Sequence, residues 1–137
     1  THLGAWFVAG ADVHESAAWR SAIDSVAACP NPVMKLGGAQ MRIDAWEPPY
    51  HMHQTGSPWS SEAFLEPLLP RYQYAVEAFG PERCMFESNF PVDKDCISYR
   101  TLWNFFKRIA AQLGLSEAEN TAVFSGTAAR AYRLQAP

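Results

Sequence analysis

Along residues 15–28 the large apolar side chains Trp19, Ile23 and Val26 recur every three or four positions, and Pro30 stops the pattern just past its end, which predicts an amphipathic helix. The period then changes. In residues 32–38 Met34 and Leu36 alternate with Val33, Lys35 and Gly37, the two-residue repeat of a strand with its large apolar groups on one face. Residues 39–59 hold Pro48, Pro49, Gly56 and Pro58 without periodicity, so a long loop is expected there. Ser60 or Ser61 can cap a helix running toward Phe79, with Pro67 and Pro70 expected to break its early turns and Gly80-Pro81 to end it. Residues 84–90 read as a second strand, halted by Pro91. A helix over 99–113 carries Leu102, Phe105, Phe106, Ile109 and Leu113 on one stripe. Ser116 and Glu119 have capping-box spacing, which starts a short helix at Glu117, and Gly126 is expected to separate it from a last turn through Tyr132.

With a strand end at residues 1–4, the order is strand, helix, strand, loop, helix, strand, helix, helix. This is the alternation of parallel βα units, in an α/β chain with about three parallel strands and flanking helices. Three parallel strands make a poor isolated sheet, because such a sheet is covered on both faces or closed into a barrel. The chain opens Thr1-His2-Leu3-Gly4 with no initiator Met and no lead-in element, so it is expected to begin inside a larger structure. An open sheet edge would then favour self-association, which leaves a homo-oligomer open.

Composition narrows the partners. Of 137 residues 48% are hydrophobic and 18% charged, which suits one folded unit, and 11 basic against 14 acidic residues give a formal charge of −3 without long runs of either sign. Nucleic acid and anionic membrane are therefore not the expected partners. The three cysteines form no CxxC pair and suggest neither a disulfide framework nor a zinc knuckle, and no stretch approaches membrane-span length; a cytoplasmic protein is expected.

Candidate chemistry gathers at the second strand. Alternation puts Met85, Glu87 and Asn89 on one face, away from Cys84, Phe86 and Ser88. A carboxylate and an amide inside a sheet are costly unless paired, hydrated or in contact with a ligand. Lys35 fits the same geometry two residues before Gly37-Gly38, where it could bind an anionic substrate or pair with Glu87. A purely structural network of these groups is the competing reading. His2, at the expected strand end, could be a metal ligand, a general acid or base, or only a structural residue. His51-Met52-His53 resembles a zinc-binding HxH pair, but it sits in the proline-rich loop and not at a rigid strand end. Asp93, Lys94 and Asp95 could line a mouth, although charges after a strand usually form a solvated turn.

Three segments together carry a family resemblance: His2-Leu3-Gly4, then residues 29–38 (CPNPVMKLGG), then residues 79–91 (FGPERCMFESNFP), with residues 126–134 (GTAARAYRL) closing the chain. They resemble the C-terminal end of the amidohydrolase-related (amidohydrolase 2) proteins, over nearly the whole length. The resemblance implies the C-terminal portion of a (β/α)8 TIM-type barrel, residues 1–137 being a partial domain without its N-terminal strands. It implies a hydrolase of small carboxylated lactones, esters or amides, with nonoxidative decarboxylases and noncatalytic ligand binders of the same fold as alternatives. It also implies a divalent metal such as zinc, held in the complete protein, with this segment inactive alone. His2 falls on the mid-barrel histidine, a catalytic and metal-ligating position. Asn89 falls on the final-strand aspartate that serves as base. An amide cannot take a proton at neutral pH, so Glu87 is the candidate replacement base. Lys35, His53 and Asp93 are left as candidate substrate contacts.

Overall fold

The computed structural model describes Leu3, residues 17–39, 60–95 and 97–134. The first helix, α1 (Ala17–Ala27), buries Trp19 and Ile23, while Val26 at its last turn is exposed. Strand β1 (Met34–Leu36) comes next. The expected long loop, apart from Ala39, lies outside the described residues, as do His2 and His53.

Helix α2 (Leu65–Phe79) runs unbroken through both prolines, contrary to expectation. Pro67 sits in the first turn, where a backbone N–H has no intrahelical acceptor. Pro70 deprives the Glu66 carbonyl of a partner, but Glu66 and Pro70 are both exposed, so water can replace that bond. The buried stripe Leu68, Tyr72, Ala75, Val76 and Phe79 supplies the packing that outweighs the loss. Gly80, at φ 78°, closes the helix with its N–H on Val76 O at 2.8 Å.

A 3₁₀ turn at Pro81–Arg83 leads into strand β2 (Cys84–Phe86). Arg83 explains the FGPER segment. Its guanidinium donates to Phe79 O (2.8 Å), Cys29 O (2.8 Å) and Ala27 O (3.0 Å), tying the C-terminal ends of α1 and α2 to the start of β2.

β1 and β2 pair in parallel, with Met34 opposite Cys84, Lys35 opposite Met85 and Leu36 opposite Phe86. These two strands form the sheet among the described residues. Met34, Leu36, Cys84 and Phe86 face the helices. Phe86 stacks on Phe106 at 4.6 Å between centroids, and Cys84 Sγ lies 4.0 Å from Ala75 O of α2. The expected strand over 84–90 is cut short. Asn89 adopts φ 51°, outside the extended region, and the Phe90–Pro91 peptide is cis.

Helix α3 (Tyr99–Gln112) is capped by Ser98, whose hydroxyl accepts from Thr101 N at 3.1 Å, and it buries Leu102, Phe105, Phe106 and Ile109. The capping box at Ser116 and Glu119 is present and opens α4 (Glu117–Thr121). Gly126 does not interrupt the helical path: a π turn (Ala122–Gly126) joins α4 directly to α5 (Thr127–Tyr132). The wider turn brings Val123, fully buried, Phe124, against Phe86, and Thr127, bonded to Glu82 O at 2.8 Å, onto the same side. No helix among the described residues is long and apolar enough to cross a membrane.

Candidate functional site

Because Met34, Leu36, Cys84 and Phe86 occupy the helix side of the parallel pair, alternation sends Lys35, Met85 and Glu87 to the opposite side. There Lys35 Nζ meets Glu87 Oε2 at 2.7 Å, with the two side chains 23% and 19% exposed. The ion pair is thus neither a solvated surface pair nor sealed in a core. Of the pair, Lys35 lies within β1, and Glu87 is the first residue past the C-terminal end of β2. Gly37 makes it possible: a Cβ there would collide with the Glu87 backbone oxygen and Cγ, so it is the neighbouring strand that uses this glycine's empty space.

Strand alternation cannot be carried on to Asn89, because its left-handed backbone turns the chain. Its amide Nδ2 donates to Asp93 Oδ1 at 2.8 Å. Asp93, expected in a solvated turn, is fully buried within the 3₁₀ turn Val92–Asp95, while the adjacent Lys94 is exposed. The backbone accounts for this. Asp93 N–H bonds Asn89 O at 3.2 Å and Ile97 N–H bonds Asp93 O at 3.0 Å, so the turn folds inward over β2.

Tyr72 is a polar group that the sequence pattern does not mark. Its ring is fully buried on α2 and packs edge-on against Phe105 at 5.3 Å, and its hydroxyl is buried without a hydrogen bond among the described atoms. Burial pushes its phenol far above the ordinary range, Arg71 opposes this, and the charges of Asp93 and Glu87 add to it. Tyr72 therefore holds its phenolic proton more tightly than a free tyrosine does. A tyrosine at helical spacing among apolar residues reads as core, and nothing in the pattern marks its polar end.

The Trp19 indole N–H donates to Leu3 O at 3.0 Å inside the core, and the Arg71 guanidinium lies 5.7 Å from its ring. Among the described residues no three His, Cys, Asp or Glu side chains group to hold a metal ion. Glu87 is engaged by Lys35 and Asp93 by Asn89.

The family profile described as amidohydrolase matches residues 1–134. The chain is 37% identical over 121 residues to an L-fucono-1,5-lactonase of Burkholderia multivorans, covering 88% of this chain and 37% of the relative. It is 38% identical over 116 residues to an uncharacterized protein of Sinorhizobium fredii, covering 85% and 33%. A crystal structure of an amidohydrolase from Burkholderia multivorans with bound Zn superposes with TM-score 0.71 at 32% identity, over 90% of this chain and 41% of that one. One with bound HEPES superposes with TM-score 0.68 at 33% identity, over 85% and 37%. The chain spans about a third of the length of the curated relatives it matches. On the match across residues 1–134, the chain belongs to the amidohydrolase family.

Proposed function

We propose that the full-length protein is a hydrolase that opens a small carboxylated lactone, ester or amide at the mouth of a (β/α)8 barrel, of which these residues form the C-terminal portion. The observation that carries this reading is the Lys35–Glu87 pair, which joins β1 to the residue that follows the C-terminal end of β2, on the side away from the helix-facing core residues. In a (β/α) barrel that side is the lumen and that end is the catalytic mouth. The lactonase relative at 37% identity supports a sugar lactone as the substrate class.

The chemistry uses this chain's own groups. Glu87 accepts a proton from water as the oxygen attacks the lactone carbonyl, and the Lys35 ammonium faces the charge that develops on the carbonyl oxygen. The ring C–O bond then breaks, and the leaving alkoxide recovers the proton from Glu87. The product is an open hydroxy-carboxylic acid, which releases its proton to solvent and leaves as the carboxylate. Asn89 orients water or substrate by hydrogen bonds, and His53 is a further substrate contact. A divalent ion of the kind in the zinc-bound relative would be held through His2 together with residues outside the described set, and it would supply an activated water. No step here is routed through it.

The test is turnover of L-fucono-1,5-lactone and related sugar lactones by the full-length protein in a pH-stat, compared with Glu87→Gln. A base deletion lowers kcat by about 100-fold or more. Equal turnover by the variant would refute the role of Glu87, and release of carbon dioxide from an aromatic acid instead would favour a decarboxylase. Residues 1–137 alone are expected to be inactive.

A further inference from the structure

We infer that Asp93 is a positioning residue: it fixes the Asn89 amide with its carbonyl oxygen presented at the end of β2, so the site selects a substrate that brings a hydroxyl donor to that point. This rests on the proposed function, in which the end of β2 faces the substrate.

The orientation comes from the chemistry of the partners. A carboxylate accepts hydrogen bonds and has none to give, so the amide atom 2.8 Å from Asp93 Oδ1 must be the NH₂ group of Asn89. The amide is planar, and holding its nitrogen fixes its oxygen. The backbone leaves little room for the pair to drift. Asp93 N–H returns to Asn89 O, Ile97 N–H holds Asp93 O, and Asn89 sits at φ 51°, a region asparagine tolerates better than most residues. Asp93 is fully buried, whereas Asn89 is half-buried.

Among the described residues nothing donates to Asn89 Oδ1. The carbonyl edge is therefore what Asn89 offers to an incoming molecule. A carbonyl oxygen is satisfied by a hydroxyl and not by an ether or carbonyl oxygen, so a polyhydroxylated lactone fits and its deoxy analogue leaves a polar atom unmatched. Were Asp93 neutral, the amide could turn over and offer its NH₂ instead.

The experiment compares kcat/KM of the full-length protein for a hydroxylated sugar lactone and for the corresponding lactone without ring hydroxyls. Wild type is expected to prefer the hydroxylated lactone by about tenfold or more. Asp93→Asn, which can donate or accept, is expected to erase most of that preference, chiefly through KM. Asn89→Gly keeps the left-handed backbone, removes the amide and is expected to erase it equally, with no further loss in the double variant. Retention of the preference by folded Asp93→Asn, or additive losses in the double variant, would overturn the inference. If wild type opens neither lactone, the functional reading fails, and the orientation is judged by NMR: the Asn89 side-chain NH₂ should show slowed exchange in wild type and lose it in Asp93→Asn. Fast exchange in wild type would overturn it.

Discussion

Gly37→Ala is expected to be among the most damaging single-methyl additions to this fold. The new Cβ would lie far inside contact distance of the Glu87 backbone oxygen and Cγ, and 3.2 Å from the Glu87 carbonyl carbon. The Cγ can swing away, but the backbone oxygen belongs to the segment leaving β2 and cannot. Restoring ordinary contact requires one strand to retreat by roughly 1 Å. Overpacking of this kind costs about 1–3 kcal/mol. Strand retreat also draws Lys35 and Glu87 apart from their 2.7 Å contact, so the upper part of that range, about 3 kcal/mol, is expected. Gly114→Ala is the comparison: nothing lies within 4 Å of its Cβ, and its φ of 63° costs only backbone strain of about 1–2 kcal/mol. Urea unfolding of both variants in the full-length protein, followed by tryptophan fluorescence, separates the two costs. A Gly37→Ala loss no larger than that of Gly114→Ala would refute the close approach of Glu87 to β1.

Other outcomes come from the same packing. Arg83→Met keeps the aliphatic bulk but leaves the carbonyls of Phe79, Cys29 and Ala27 without their charged donor; a loss of about 2 kcal/mol is expected in urea unfolding, and no change would mean water replaces the guanidinium freely. Burial pushes the Cys84 thiol from 9.0 up to about 12. The folded state thus holds this proton more tightly than the unfolded state, so stability should be intact below pH 9 and fall as pH rises from there toward 12. Cys84→Ala should flatten that alkaline decline, and an unchanged slope would exclude the thiol as its source. Peptide mapping after alkylation at about pH 8 should find Cys29, which is exposed, labelled and Cys84 protected.

Local signals made much of this fold readable. The stripe of α3, the Trp19 and Ile23 part of the α1 stripe, the Ser116–Glu119 capping box and the alternation of Met34 and Leu36 each depend on a few neighbours in sequence, and each is present in the structure, whereas Val26 of α1 is exposed. The pairing of Lys35 with Glu87 was also foreseeable, since parallel strands put residues of like parity on one side. What pattern reading missed depends on distant partners. Pro70 suggests a broken helix until the buried stripe of α2 is set against one lost hydrogen bond. Gly126 suggests a stop until Thr127 is seen bonded to Glu82. Asp93 reads as a solvated charge because nothing local announces that its turn folds inward, and nothing local announces the burial that raises the Tyr72 phenol. His2 and His53 lie outside the described residues.

The most direct measurement is a crystal structure of the full-length protein with a hydroxy-carboxylate product bound. The product carboxylate is expected within hydrogen-bond distance of Lys35, and a product hydroxyl donating to Asn89 Oδ1, inside a lumen lined by the face that carries Glu87. A product bound elsewhere, with that face packed beneath helices, would contradict the hydrolase reading.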